Sequence, residues 1–288
     1  MNVATGLAPI VCAIDDGYVE PLRTVMRSIA AAHGPAVGEL RFIVLDQGLS
    51  SGSTASILRD GAALGLAVEI RAIPETDSNL PVTAWYSRAV FARMTIPDVI
   101  EDEPRVLYMD ADTLVLADLR PLLERDLGGH PVGAVRDPIS PLLGHGPGLR
   151  FWREFGLPEG REYFCSAVML LDLPRIRGTR LFERAAEFLI ANPDKVGFPD
   201  QDALNYAAAD DWQRLEYRWD TFAMSPRGPD YVHPAEDVNP LAELVEAEKD
   251  AAIIHFGGRL KPWNDDYPAS EMRDLYRRFQ PAVFDPVA

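Results

Sequence analysis

The segment VLYMDADTLV (106–115) runs four apolar residues into two aspartates one residue apart, Asp110 and Asp112. In extended backbone, residues i and i+2 face the same side. An extended course through Ala111 would therefore turn both carboxylates into one space. Two hard oxygen ligands suit Mn²⁺ or Mg²⁺, which bind through a few carboxylates plus substrate phosphates. A second chemistry fits the same string, an aspartate nucleophile with a general acid two residues on. A third reading is a strand end followed by a capped turn.

Other stretches carry chemistry of their own. In IIHFGGRLKPW (253–263), His255 follows an apolar run and precedes two glycines and Lys261. A lone histidine there is ordinarily a satisfied core residue. The glycines, however, permit close backbone approach to a phosphate, and Lys261 supplies a point charge for it. In PDQD (199–202), Asp200 is a candidate N-cap that backbone N–H groups would orient, and Asp202 a support for the loop. Asp15-Asp16-Gly17 ends another apolar run, and for Asp16 helix capping is the expected role.

The elements that must position these residues alternate. Apolar runs at 9–14, 40–46, 66–73 and 105–109 read as strands. Between them, helical spacing of Leu22, Val25, Met26 and Ile29, and the stretches 51–64 and 83–96, read as helices, the last stopped by Pro97. Such alternation predicts an α/β fold, a mostly parallel sheet with helices on both faces and ligands beyond the strands' carboxyl ends. Further on, 163–173 and 251–258 read as strands. The stretches 180–192, 199–209 and about 268–280 read as helices, and the Pro- and Gly-rich 134–148 as a long loop. One domain over 1–288 is expected, with halves at about 9–120 and 121–265.

Composition narrows the function. Against 44 Asp and Glu stand 28 Lys and Arg, a net charge of −16 with no basic run, which argues against nucleic acid and anionic membrane surfaces. An anionic substrate would need a local positive centre. No apolar run approaches the ~20 residues that span a bilayer, and the first residues lack a basic stretch before their apolar run, so a cytoplasmic protein is expected. Cys12 and Cys165 suggest neither a disulfide framework nor a metal cluster.

Five segments occur in order: IVCAIDDGYVEPLRTVMRSI, VLYMDADTLVLADLRPLL, YFCSAVMLLDLPRIR, FPDQDALN and IIHFGGRLKPW. Together they resemble glycosyltransferase family 8, over about residues 9–263. The resemblance implies a Rossmann-like GT-A fold and a retaining transferase that takes glucose or galactose from a UDP-sugar with Mn²⁺ (or Mg²⁺). Asp110, Asp112 and His255 would hold the metal. Asp15 would bind the uracil, Tyr18 stack on it, and Ala13 add a backbone contact. Arg93, Ala111, Ser166 and Ala167 would line the donor site, and Gly258 and Lys261 would contact the diphosphate. Asp200 would hold sugar hydroxyls and Gln201 would lie under the anomeric carbon. No carboxylate stands at Gln201, so front-face displacement is the implied mechanism.

Two rival readings accompany it. D-x-D-x-T also fits haloacid-dehalogenase-type phosphohydrolases, but three β/α units precede it and the chain has no Gly-Asp pair for their distal metal motif. A nucleotide-sugar-binding protein without catalysis is the other. Cys165-Ser166-Ala167 stands where family 8 usually has Asn-x-Gly, and Gly17 where Asn is common; a thiol cannot replace the amide's donor and acceptor. The closing segment, with one basic pair at Arg277-Arg278, favours a soluble acceptor (glycan, peptide or small metabolite) over a lipid-linked one. A homo-oligomer is compatible with all of this.

Overall fold

The structure, a computed structural model, describes residues 6–73, 88–228 and 230–281. Among the described residues ten strands run in chain order: β1 Ile10–Ile14, β2 Arg41–Asp46, β3 Ala67–Ala72, β4 Arg105–Met109, β5 Thr113–Val115, β6 Val132–Arg136, β7 Phe164–Asp172, β8 Gln213–Arg214, β9 Thr221–Phe222 and β10 Ile253–His255. Seven form one sheet in the order β3-β2-β1-β4-β7-β6-β8. β3, β2, β1 and β4 are parallel, and only β7 runs against its neighbours β4 and β6. This is the mixed, mostly parallel sheet that the alternating pattern predicts.

Period-two alternation sorts the strand residues onto two faces. Val11, Ile43, Leu45, Val106, Tyr108 and Met169 pack under the helices Leu181–Ala191 and Pro199–Ala208. Ile10, Cys12, Phe42, Val44, Leu107 and Val168 pack under the helix Val19–His33 through Leu22, Val25, Met26 and Ile29. A sheet buried on both faces explains why these strands read as near-continuous apolar runs.

A second sheet, β5-β10-β9, makes the difference to the site. β4 ends at Met109, the chain turns through Ala111 and Asp112, and β5 then pairs antiparallel with β10, Thr113 opposite His255. The extended course through Ala111 is thus corrected to a turn. That turn carries one backbone from the large sheet to the small one and leaves its two aspartates at the junction.

Other expectations are also corrected. Of the helix read at 83–96, residues 83–87 lie outside the described residues. The remainder is a 3-10 helix, Arg88–Thr95, leading into the short α-helix Ile96–Val99. Pro97 sits in the first turn of that helix rather than stopping the preceding one, because a proline in the first turn gives up an N–H that has no intrahelical partner anyway. The loop read at 134–148 begins inside β6 and leaves the strand only after Arg136. The strand read at 251–258 is only Ile253–His255. The closing helix is Glu271–Arg277. No described helix is long and apolar enough to cross a membrane.

Candidate active site

The carboxyl ends of β1 and β4, the amino-terminal end of the antiparallel β7, the start of the helix Pro199–Ala208 and the segment after β10 meet at one cleft. Arg93 stands at its centre, buried to 5% exposure. Its Nη2 donates to Asp110 Oδ1 at 2.8 Å and Oδ2 at 3.2 Å. Its Nη1 donates to the Ser166 carbonyl at 2.8 Å and hydroxyl at 2.9 Å, and lies 3.1 Å from Asp200 Oδ2. The guanidinium also lies over the Tyr108 ring, 4.7 Å from its centroid. Only the five-donor guanidinium fork can hold that many acceptors at once. Burial works against the charge, but Asp110 and Asp200 outweigh it and raise the Arg93 pKa further.

The two aspartates of the turn are placed differently. Asp110 also accepts from Tyr108 Oη at 2.6 Å, and its backbone N–H donates to the Ala167 carbonyl at 2.8 Å. Burial pushes its carboxyl up despite Arg93, with Asp112 adding to the rise. For Asp112, burial is outweighed by Lys261 and His255, which hold its carboxyl far below the usual range. Lys261 Nζ donates to Asp112 Oδ2 and, at 2.9 Å, to the Phe256 carbonyl. Asp112 Oδ1 is buried without a hydrogen-bond partner and faces His255 Nε2 at 3.7 Å, too far for a hydrogen bond.

His255 is buried between acids on both sides. Burial lowers its pKa, but Asp220 and then Asp112 overcome this and push it up to about 10. Its Nδ1 lies 3.1 Å from Asp220 Oδ1. A partnerless carboxylate oxygen facing an imidazole nitrogen is a donor pair that fits a divalent cation, which would take the place of the imidazolium proton. Asp110, Asp112 and His255 are not gathered closely in this arrangement, because Arg93 and Lys261 engage the remaining carboxylate oxygens. The trio that does converge among the described residues is Cys165, Asp220 and His255, with ligand atoms within 4.8 Å of one another. Cys165, unlike Cys12, therefore stands in a group whose geometry could hold a cation, a juxtaposition the sequence did not suggest.

On the opposite wall Gln201 is held at both ends. Its Oε1 accepts from Ser166 N–H at 3.0 Å, and its Nε2 donates to Asp137 Oδ2 at 2.9 Å. Asp137 also accepts from the N–H groups of Ile139 and Ser140, each at 2.8 Å, and burial raises its carboxyl pKa against these bonds. Asp200 is not the N-cap of its helix. That position is Phe198, whose side chain makes no cap bond, and Asp200 is drawn instead to Arg93. Asp202 covers the helix start by accepting from Gly197 N–H at 2.7 Å and Phe198 N–H at 3.1 Å. Its other oxygen accepts from Leu149 N–H at 2.7 Å and Tyr163 Oη at 2.6 Å, tying down the loop after β6.

At the outer end, Ala13 lies in β1 beside Leu45. Asp15 caps the 3-10 turn Asp16–Tyr18 by accepting from Gly17 N–H at 2.9 Å. Asp16, the expected cap, instead accepts from Ser50 N–H at 2.9 Å and ties this turn to the start of the helix Ser51–Leu64. Tyr18 is 40% exposed and meets Trp263 edge to face at 5.9 Å. Its phenol is pushed up to about 12 by partial burial, then by Asp112 and Asp110, so it stands close to the acid pair. The two glycines divide their roles. A Cβ on Gly257 would lie 2.6 Å from the Phe222 ring, whereas Gly258 has φ +102° and open space.

Asp137 and Asp220 were missed by sequence reasoning. Asp137 directly follows the apolar run of β6, a strand-end carboxylate hidden by reading 134–148 as loop. Asp220 lies in RWDTF without any spacing signal, and only the fold brings it to His255.

Residues 9–267 match the family model described as Glycosyl transferase family 8. The chain belongs to that family. Among its relatives, General stress protein A of Bacillus subtilis (strain 168) is 29% identical over 268 residues, 89% of this chain and 87% of the relative. Lipopolysaccharide glucosyltransferase WaaO of Escherichia coli (strain K12) is 27% identical over 208 residues, but only 55% of its length is spanned. The crystal structure of the galactosyltransferase LgtC with donor and acceptor sugar analogues is 26% identical, with a TM-score of 0.77 over 96% of this chain and 98% of LgtC. The family 8 chain thus has the GT-A fold of LgtC. GT-A enzymes of family 8 use a nucleotide-sugar donor and a divalent metal. The aspartate-nucleophile phosphohydrolase reading falls with this assignment.

Proposed function

We propose that this family 8 chain is a single-domain, retaining hexosyltransferase. It would move glucose or galactose from a UDP-sugar to the hydroxyl of a soluble acceptor, with Mn²⁺ or Mg²⁺ bound by Asp110, Asp112 and His255. The observation that carries the reading is the buried, partnerless Asp112 Oδ1 facing His255 Nε2, next to the Arg93–Asp200–Gln201 wall. When bound, the cation would offset the charge that develops on the departing diphosphate. Lys261 and the Gly258 backbone would bind the diphosphate, Lys261 leaving Asp112 to do so. Asp15, Tyr18 and Ala13 would hold the uracil end.

In this proposal Arg93, Ala111, Ser166 and Ala167 shape the donor pocket, and Asp200, steadied by Arg93, accepts from sugar hydroxyls. Gln201 has no proton to give up and no carboxylate to attack with. Clamped between Ser166 and Asp137, it presents an amide dipole to the sugar and keeps water from the anomeric carbon. The acceptor hydroxyl would then enter on the face UDP leaves, with retention of configuration. Both cysteines are buried free thiols, which suits a reducing, cytoplasmic compartment. The test is acceptor-free UDP release from a panel of UDP-sugars with Mn²⁺. Release from one donor, abolished by chelation and by Asp110→Ala/Asp112→Ala, is expected; failure of UDP to bind with Mn²⁺ present would overturn the reading.

A further inference from the structure

We propose that Cys165, Asp220 and His255 form a second cation site, selective for a thiophilic divalent ion of the Zn²⁺ class. Its occupancy would exclude the hard cation of the donor site. Three strand-borne or strand-flanking positions supply the ligands: Cys165 from β7, Asp220 just before β9, and His255 at the end of β10. Cys165 Sγ lies 3.9 Å from His255 Nδ1, and that nitrogen lies 3.1 Å from Asp220 Oδ1. Tetrahedral zinc with bonds of about 2.0–2.3 Å needs ligand separations of about 3.3–3.6 Å. These two spacings straddle that range and the third, Cys165 to Asp220, lies within 4.8 Å, so side-chain shifts alone would close the site.

The surroundings favour occupancy. Cys165 is 2% exposed and Asp220 wholly buried, and Asp220 Oδ2 has no hydrogen-bond partner. A buried carboxylate oxygen left unpaired is costly, and a cation would satisfy it. Phe222 packs 4.4 Å from the imidazole and, with Met224, borders Cys165, giving the site an apolar wall. Thiolate, imidazole and one carboxylate make a softer set than the all-oxygen or carboxylate-rich sites that suit Mg²⁺ and Mn²⁺. On binding, the Cys165 S–H and His255 Nδ1–H bonds break, both protons leave to solvent, and the freed sulfur and nitrogen electron pairs form the bonds to the metal.

Exclusion follows from one property of imidazole. The neutral ring has a single nitrogen lone pair. With Nδ1 bound to the thiophilic ion, the proton sits on Nε2, the nitrogen that faces Asp112, and Nε2 can no longer serve a donor-site cation. This second clause rests on the proposed function; the site itself does not.

The full-length, metal-free protein should be titrated with Co²⁺, whose thiolate complexes show a strong near-ultraviolet charge-transfer band. The Cys12→Ser variant retains Cys165 as its only cysteine, so a band in that variant is expected, and its absence would overturn the site. Cys165→Ser should lose the band and weaken Zn²⁺ binding, read by competition with a chromophoric chelator. The loss should exceed the about 10–100-fold that removal of an outer-shell partner costs. Unchanged Zn²⁺ affinity in Cys165→Ser would refute the assignment. The exclusion is tested by adding Zn²⁺ to UDP release at saturating Mn²⁺, each variant scaled to its own zinc-free rate. Wild type should need at least tenfold less Zn²⁺ for half inhibition than Cys165→Ser; equal inhibition would overturn it. A failed donor panel would leave the cobalt result standing, so the two readings fail separately.

Discussion

Replacing Arg93 by methionine removes one positive charge from between a buried carboxylate, Asp200, and a half-buried one, Asp110. Asp200 keeps 8% of its side-chain surface and Asp110 a quarter, while Arg93 itself has 6%. In the variant Asp110 retains only Tyr108 Oη and Asp200 only the Ser166 hydroxyl, at 3.2 Å, as side-chain partners. Removing one partner of a buried ion pair costs about 3–5 kcal/mol, because the charge left behind cannot be hydrated. Proton uptake by Asp110, whose carboxyl burial already pushes up, limits that cost, so the loss should be full near pH 8 and shrink toward pH 5. For a chain of this length 3–5 kcal/mol corresponds to about 6–10 °C in Tm. Urea unfolding and thermal melts of Arg93→Met, Asp200→Asn and the double variant would measure it. The double variant should recover about 1–3 kcal/mol, the coupling expected of contacting residues. Arg93→Lys should recover part of the loss, since it keeps the charge but cannot span both acids and Ser166. A loss in Arg93→Met below about 1 kcal/mol, unchanged between pH 5 and 8, would refute the reasoning.

Three other outcomes follow from the same cleft. In chelated protein the raised His255 pKa stabilises the fold fully below its ordinary value near 6.5, and that stabilisation disappears as pH rises through about 10. Urea midpoints should therefore fall over that window in wild type and stay flatter in His255→Gln. Lys261→Met should tighten Mn²⁺ binding to the free protein, because Lys261 no longer competes for Asp112, and weaken UDP by about 10–100-fold. Calorimetric titrations in which both affinities fell together would contradict this exchange. Asp137→Asn should lower kcat for donor hydrolysis with little change in donor KM, because it loosens the Gln201 amide without touching the nucleotide end. A KM effect alone in steady-state kinetics would assign Asp137 to donor binding instead.

Most of the large sheet was legible because its strands are buried on both faces and its helices have clear apolar stripes. Ser51–Leu64 lies where the pattern predicts it, with Ser50 as N-cap and Gly65 at φ +72° closing it. What escaped has a physical reason in each case. β5, β8 and β9 are two or three residues long, too short for period two to register. The segment before β4 winds as a 3-10 helix, so its apolar residues follow a period that resembles the α-helical one over only eight residues. The acids of the turn were legible as a pair, but not their separate fates, since nothing local says that one will meet Arg93 and the other Lys261.

Those fates bear on how a chain of net charge −16 can present a site for an anion. Arg93 and Lys261 do not form an open positive patch; each is already paired, Arg93 with Asp110 and Asp200, Lys261 with Asp112. Unpaired, the clustered carboxylates of Asp110, Asp112 and Asp200 would repel one another with only His255 to offset them, and burial already raises Asp110. The basic residues therefore stabilise the acid cluster in the free protein. A cation arriving with a diphosphate would satisfy Asp112 directly and release Lys261 to the phosphate. Binding of metal and anion should consequently be cooperative, each making the other's partner available, although neither alone meets a ready site. The same logic explains why Lys261 rather than an arginine suits this position: a single ammonium on a flexible stem can leave one carboxylate without breaking a fork of bonds, whereas Arg93 is held by four acceptor groups and cannot.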